Sequence, residues 1–441
     1  MGPKIGTPLR DSPKKFLIVF MIQQFSNSMT RRAFVGVLGL GTLSLRTWGQ
    51  HGASSEGKSF PIVMPSAFFG STTPTAAGFH EGVTHNLAAY LQSQVDAKEI
   101  PGAFVAAMRH GKIFLEQHFG TYCDRTRREA PYDGAAIHPF HSISKMVSAT
   151  AVVMAWQDGL IDIDVPVMKY IPEFGCGGKE NITIRQLLTH SAGIPATPSG
   201  GLAAGSEAQW KASVAAICAE PVQWPPGSKT QYHALSGMLI AAEAVRRGSN
   251  GKTWNQICQE RIFTPLGLTS FTFNEPPLDL PLACIPRLAK PAIQWLAQVN
   301  AFAGQPAAGL KGTFTDLLKF LVFHSQKGVW EGKTLLREKY WIDMHTPQFH
   351  GKAGFDSWAL GMVVRADGPK SFNLGWFGLR DVTGPHVFGH VGTNIALAVG
   401  DPDTDTQIVF IVTDAPKLPA KAVELRNTVT KTVFDALSKS A

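Results

Sequence analysis

The 441-residue chain is 44% hydrophobic and 17% charged, a balance that excludes a disordered or low-complexity protein and provides for one large domain or two coupled lobes. No apolar run approaches the roughly 18–20 residues of a membrane-crossing helix. The net charge of +8 would suit nucleic acid or an anionic surface if it were spread along the chain. It is concentrated at the front instead. Residues 1–53 hold Lys4, Arg10, Lys14, Lys15, Arg31, Arg32 and Arg46 against Asp11, a net +6 that leaves +2 for the remaining 388 residues. With no basic block interleaved with aromatics left in the body, a nucleic-acid partner is not expected.

The chain opens with a leader. Thr30-Arg31-Arg32-Ala33-Phe34-Val35 runs into a weakly apolar, Gly-rich stretch over 35–45 and then a polar segment, the order of an export signal. The paired arginines resemble the twin-arginine type, and the alternative is an uncleaved membrane-associated anchor. Met29 directly before it makes 1–28 an upstream extension, and the small residues around Ala53 are the expected cleavage region. No stable membrane span is expected once the signal is removed. Residues 54–79, rich in Ser, Gly, Thr and Pro, read as a flexible linker.

The body from 80 to 441 reads as one domain. Apolar spacing predicts a helix over 80–98, ending before Pro101. Two apolar runs around His110-Gly111-Lys112 predict a hairpin. The pattern then turns helical, over 143–157, 183–189, 206–219, 235–247 and 253–263. Residues 276–308, rich in Pro and Ala, predict a long ordered loop or lid. Thr313-Phe-Thr-Asp316 before LLKFLVF reads as a capped helix start. NIALAVG and QIVFIVT flank Asp401-Pro-Asp-Thr-Asp-Thr406 as a second hairpin, and a final helix covers 419–437. Strands at both ends with helices between them predict one sheet made of about 80–140 and 350–441, with a helical lobe over about 141–349. Cys123, Cys176, Cys218, Cys258 and Cys284 are odd in number and widely spaced, which speaks against a disulfide framework or structural zinc; Cys218 and Cys258 fit helix cores, and export would leave room for one disulfide. No H-E-x-x-H occurs, Gly36-Val-Leu-Gly39-Leu-Gly41 lies inside the signal, and neither metal nor cofactor is expected.

The chemically informative motif is Ser142-Ile143-Ser144-Lys145, an S-x-x-K. The same pattern at Ser12–Lys15 and Ser55–Lys58 falls in the leader and linker, where nothing would hold a site rigid. Ser142 instead opens a segment apolar on all sides, the mark of a buried helix. At its first turn Ser142 and Lys145 share a face, beside helix N–H groups that suit an oxyanion. Desolvation there would lower the lysine pKa and let it take the serine proton. The segment alone also admits Ser142 as an N-cap and Lys145 as a solvent-reaching side chain.

The wider context is more specific. PFHSISKMVSATAVVMAWQDGLIDIDVPVMKYIPEF followed by NITIRQLLTHSAGIP resembles the serine hydrolases related to class C β-lactamases. Tyr232-His233-Ala234 stands where that family has Tyr-x-Asn, and His390-Val391-Gly392 before the 401–406 hairpin stands where it has Lys-Thr-Gly. The resemblance covers about 83–437 and implies a β-lactamase/transpeptidase-like α/β (α+β) fold, an antiparallel sheet flanked by helices with an inserted helical lobe. It implies Ser142 as the acylated nucleophile, Lys145 as base or proton relay, and Tyr232 as the group that shuttles a proton to the leaving group. A tyrosine beside a cation can share its phenolic proton at neutral pH, and the alternative is a buried aromatic with a satisfied hydroxyl. The N–H groups of Ser142 and Thr393 would form the oxyanion hole. His390 and Gly392 would line the substrate. Trp376-Phe377-Gly378 is a rival match for the last motif, and with His390 preferred, Trp376 becomes a candidate pocket wall.

Two departures bear on substrate. Ala234 removes the amide of Tyr-x-Asn, and His390 removes a permanent cation that would hold a β-lactam carboxylate. Both fit the family-eight carboxylesterases and related transesterases. The expectation is an exported, periplasmic or secreted serine esterase acting on a small ester or β-lactam-like molecule. The alternatives are a class C-like β-lactamase or D-amino-acid peptidase, or a penicillin-binding module that acylates without turnover.

Overall fold

The computed structural model describes residues 62–124, 128–197, 204–277, 279–283, 303–349, 358–365, 384–393, 396–416 and 419–437. The chain divides into two units, Met1–Glu56 and Gly57–Ala441, and all described structure belongs to the second. The leader, Cys284 and Trp376 lie outside the described residues.

The first described element overturns the linker expectation. Residues 62–79 contain helix α1 (Pro65–Phe69) and a bridge from Ser71 to Ile113. Ser66 donates its backbone N–H and its hydroxyl to the Glu116 carboxylate at 2.6 and 3.1 Å, and Phe79 stacks on Phe114 at 4.1 Å. Helix α2 (Val83–Asp96) buries Val83, Leu87 and Leu91 at helical spacing.

A seven-stranded antiparallel sheet follows. Its strands are β1 (Gly102–Arg109), β2 (Lys112–Cys123), β3 (Glu129–Pro131), β4 (Val363–Val364), β5 (Phe388–Gly392), β6 (Ala396–Asp401) and β7 (Thr406–Val412), in spatial order β3-β2-β1-β7-β6-β5-β4. N- and C-terminal segments therefore meet at the β1–β7 seam, where Ala103 faces Val412 and Arg109 faces Thr406. The predicted first hairpin forms: His110 and Gly111 both have positive φ, 51° and 73°, as a two-residue turn matched to strand twist requires. The second closes on Asp401, whose buried carboxylate accepts from Gly384 N–H, Asp403 N–H and the Thr404 hydroxyl at 2.8–3.1 Å. β6 and β7 are buried along their whole length because helices cover both faces.

The helical excursion comprises α3 (Ser144–Gln157), α4 (Ile184–Leu188), α5 (Glu207–Ala219), α6 (Ser236–Arg247) and α7 (Trp254–Cys258), the last running through a π turn, Gln259–Phe263, into a single turn at Thr264–Leu266. α4, α5 and α7 each begin with a capping box, at Thr183, Ser206 and Thr253. The helical lobe is expected to run to about 349, past the next helix. Helix α8 (Phe314–Ser325) is capped by Thr313 as expected, but it packs on β6 and β7, with Phe314 stacked on Phe104 of β1 at 4.2 Å and 6°. Its whole length is buried, which a sheet face supplies. α9 (Glu338–His345) packs on α3, and α10 (Pro419–Asp435) on α2 and β7. Cys218 and Cys258 are buried free thiols and Cys176 an exposed one.

Candidate active site

The segment entering the site is pinned before it turns. His138 and Pro139 pair with Gly312 and Lys311, and Phe140 N–H donates to Leu310 O at 2.9 Å. His141 then adopts φ 48°, and His141–Ile143 form a 3₁₀ turn that runs into α3. Ser142 thus sits one turn ahead of the α-helix that the sequence predicts it to open, and the helix cap at Ile143 makes no side-chain bond. Its hydroxyl is directed elsewhere. Lys145 Nζ lies 3.1 Å from Ser142 Oγ, and Tyr232 Oη donates to the same oxygen at 2.8 Å.

Lys145 has no solvent exposure, since α3 is apolar on every side. Its Nζ donates to Ala307 O at 3.0 Å and stands 4.9 Å from the Tyr232 ring centre. Ser148 Oγ donates to Pro306 O, and Leu310 N–H donates to Ser144 Oγ, so the end of the predicted 276–308 loop is sewn to α3. Residues 284–302 of that loop lie outside the described residues.

Tyr232 owes its position to the LLTHSAGIP stretch. Gln223 N–H donates to Gly193 O, Gly227 N–H to Ser191 O, Gln231 N–H to His190 O and Leu235 N–H to Ala196 O, all within 2.7–3.0 Å. His233 N–H donates to His190 Nδ1 at 3.1 Å, and the Ser236 hydroxyl to Pro195 O. The His190 ring packs 4.7 Å from Tyr232, and Trp358 stacks on Tyr232 at 5.6 Å and 18°. The sequence motifs single out neither His190 nor Trp358 as site residues. The Ala307 carbonyl is a backbone group and leaves no signature in side-chain identity.

β5 forms a further side. Gly392 approaches the nucleophile turn so closely that an added Cβ would fall inside contact distance of Phe140 O, which explains glycine there. Thr393 follows with φ 38°. The His390 ring packs 6.2 Å from Tyr232 and 6.0 Å from Trp358. Ser142, Lys145 and Tyr232 therefore converge through direct contacts, and His390 and Gly392 flank them. Among the described residues no group of three or more His, Cys, Asp or Glu is arranged to hold a metal, and no helix is long and apolar enough to cross a membrane.

The Beta-lactamase family profile matches residues 87–429. The chain belongs to the β-lactamase family. By that membership it is a serine hydrolase. Esterase/beta-lactamase LipL of Mycobacterium tuberculosis is 24% identical over 318 residues, 64% of this chain and 70% of that one. A protein of Escherichia coli named for D-alanyl-D-alanine carboxypeptidase activity is 26% identical over 240 residues, and the match spans about half of its length, 52%. Among solved structures, a family VIII carboxylesterase and a penicillin-binding protein homologue from Caulobacter crescentus each superpose with a TM-score of 0.63 at 20% identity, over 80% of this chain and 99% of theirs. These establish the β-lactamase/transpeptidase-like fold.

The electrostatics of this β-lactamase-family site follow from burial. Lys145 is held well below its usual pKa by desolvation, so the neutral amine is favoured. Tyr232 is raised above the usual phenol range, because desolvation outweighs the hydrogen bond to Ser142. A neutral neighbouring amine provides no charge to stabilise a phenolate. His390 is pushed down to about 3, chiefly by burial; it is neutral at pH 7 and donates Nδ1–H to Val391 O at 2.8 Å.

Proposed function

We propose that this enzyme cleaves carboxylic esters through an acyl-enzyme on Ser142. The observation that carries the reading is the meeting of a buried amine and a phenol on one serine oxygen, 3.1 and 2.8 Å away. In acylation the Ser142 proton passes to the lone pair of Lys145 Nζ while Oγ bonds to the ester carbonyl carbon. The carbonyl electrons move onto oxygen, beside the N–H groups of Ser142 and Thr393. As the carbonyl re-forms, the alkoxide departs and takes the Tyr232 proton, and Lys145 returns a proton to Tyr232. Water then repeats the sequence on the acyl carbon and releases the acid. The raised phenol pKa supports Tyr232 as an acid and Lys145 as the base.

Esters are favoured over β-lactams by His390. A neutral ring with one nitrogen committed to backbone offers no cation to a carboxylate. Arg31-Arg32 and the apolar stretch after them belong with an exported enzyme. Cells expressing the full chain and its Ser142→Ala variant can be fractionated and assayed on p-nitrophenyl butyrate and nitrocefin. The expected result is esterase activity in the exported fraction, at least ~1,000-fold lower in the variant, equivalent to about 4 kcal/mol of barrier. Equal rates in the two proteins would overturn the nucleophile. Faster nitrocefin turnover would favour the β-lactamase alternative, and a stable covalent adduct without product the penicillin-binding one.

A further inference from the structure

We infer that the alcohol portion of the ester substrate carries a second hydroxyl, bound beside Tyr232 by His390 Nε2. The inference rests on the ester reading above and narrows its substrate class to monoesters of diols and related polyols.

The polar balance of the wall carries the argument. His390 Nδ1 holds the ring proton, since Val391 O can only accept. Nε2 is then a bare acceptor, buried and without a partner among the described residues. Trp358 and His190 present the opposite polarity. Trp358 Nε1–H can only donate, and His190, whose Nδ1 accepts from His233 N–H, carries its proton on Nε2. Both of those N–H groups are also buried and unpartnered among the described residues. The three rings pack against Tyr232, with centres 4.7–6.2 Å from it, and Trp358 lies 4.3 Å from His190 and 6.0 Å from His390.

Buried polar groups left unpaired are costly, and a site that carries them discriminates strongly for the ligand that pairs them. One acceptor and two donors, on rings that each pack against the same phenol, set the ligand chemistry. A carboxylate cannot donate to His390, an ammonium cannot accept from Trp358 or His190, and an ether cannot donate. A hydroxyl does both. The part of an ester closest to Tyr232 is the departing alcohol, because Tyr232 protonates its oxygen, so the hydroxyl belongs to that alcohol.

The test compares 2-hydroxyethyl, 2-methoxyethyl and n-propyl butyrate by pH-stat titration, each kcat/KM divided by the ester's rate of alkaline hydrolysis. In wild type the hydroxyethyl ester is expected to exceed the other two by roughly ten- to a hundredfold. H390F should bring the three within about threefold, whereas H390Q, which retains an acceptor, should keep part of the preference. A wild-type ratio near one would overturn the inference, as would an undiminished preference in H390F. If H390F does not fold, the wild-type ratio and H390Q decide. Loss of the ester reading itself would appear separately, as equal hydrolysis of p-nitrophenyl butyrate by wild type and S142A.

Discussion

Lys145 does chemical work only as a neutral amine, and its surroundings are built for that state. A fully buried ammonium would need compensating charge, and the side chain meets a carbonyl, a hydroxyl and the face of an aromatic ring. With one N–H spent on Ala307 O, the lone pair is left for Ser142. Two outcomes follow for the rate of covalent labelling by a fluorophosphonate. The rate should climb with pH along an acid limb whose midpoint lies far below the usual lysine value, because protonation of Lys145 removes the base. Lys145→Arg should fall at least ~1,000-fold at every pH, since a guanidinium stays charged. A variant labelled at near wild-type rate would show that the proton goes elsewhere.

The element that carries Tyr232 has no regular structure and depends on its neighbour. Residues 223–236 are held by backbone bonds to 190–196, and Gly193 is the tight point of that seam: its φ is 74°, and an added methyl would collide with Trp224 O. Gly193→Ala should destabilise the protein by about 1–3 kcal/mol from backbone strain and contact. It should also lower kcat ten- to a hundredfold by displacing the Tyr232 hydroxyl, while labelling of Ser142 survives. Thermal melting and burst kinetics read the two effects apart; an unchanged kcat would mean that the seam does not position Tyr232. Elements with local signals were legible in the sequence. The hairpin at His110-Gly111 is written in turn residues, α3 in an unbroken apolar run, and α8 in its Thr313 cap. Residues 62–79 were not, because their order comes from Glu116 and Phe114, about fifty and thirty-five positions away. For the same reason α8 was assigned to the helical lobe: its apolar faces do not reveal that a sheet receives them.

At the scale of the molecule, the site lies where distant segments of chain meet, and the core around it encloses many neutral imidazoles. The motifs made Ser142, Lys145 and Tyr232 legible together, but the wall of His190, Trp358 and His390 required the fold. Those buried histidines also set the acid limit of stability. His138, hydrogen-bonded to Tyr132 Oη at 2.8 Å, and His345, donating Nδ1–H to Trp341 O at 2.8 Å, are each pushed down to about 3, mainly by burial. In the unfolded chain they titrate near 6.5. Between about 6.5 and 3 the unfolded state therefore binds protons that the folded state refuses, and stability falls as pH falls through that window. Each such histidine contributes up to one proton to the slope, about 1.4 kcal/mol per pH unit. His345 is the cleanest probe. Its ring stacks on Trp341 at 4.3 Å and meets Phe388 edge-on at 5.0 Å, so phenylalanine fits the slot, and the site residues are untouched. His345→Phe is expected to lose less stability than wild type between pH 7 and pH 4.5, the difference approaching one proton, as measured by urea titration at a series of pH values. If the two proteins lose stability in parallel, His345 is not a group whose protonation opposes folding.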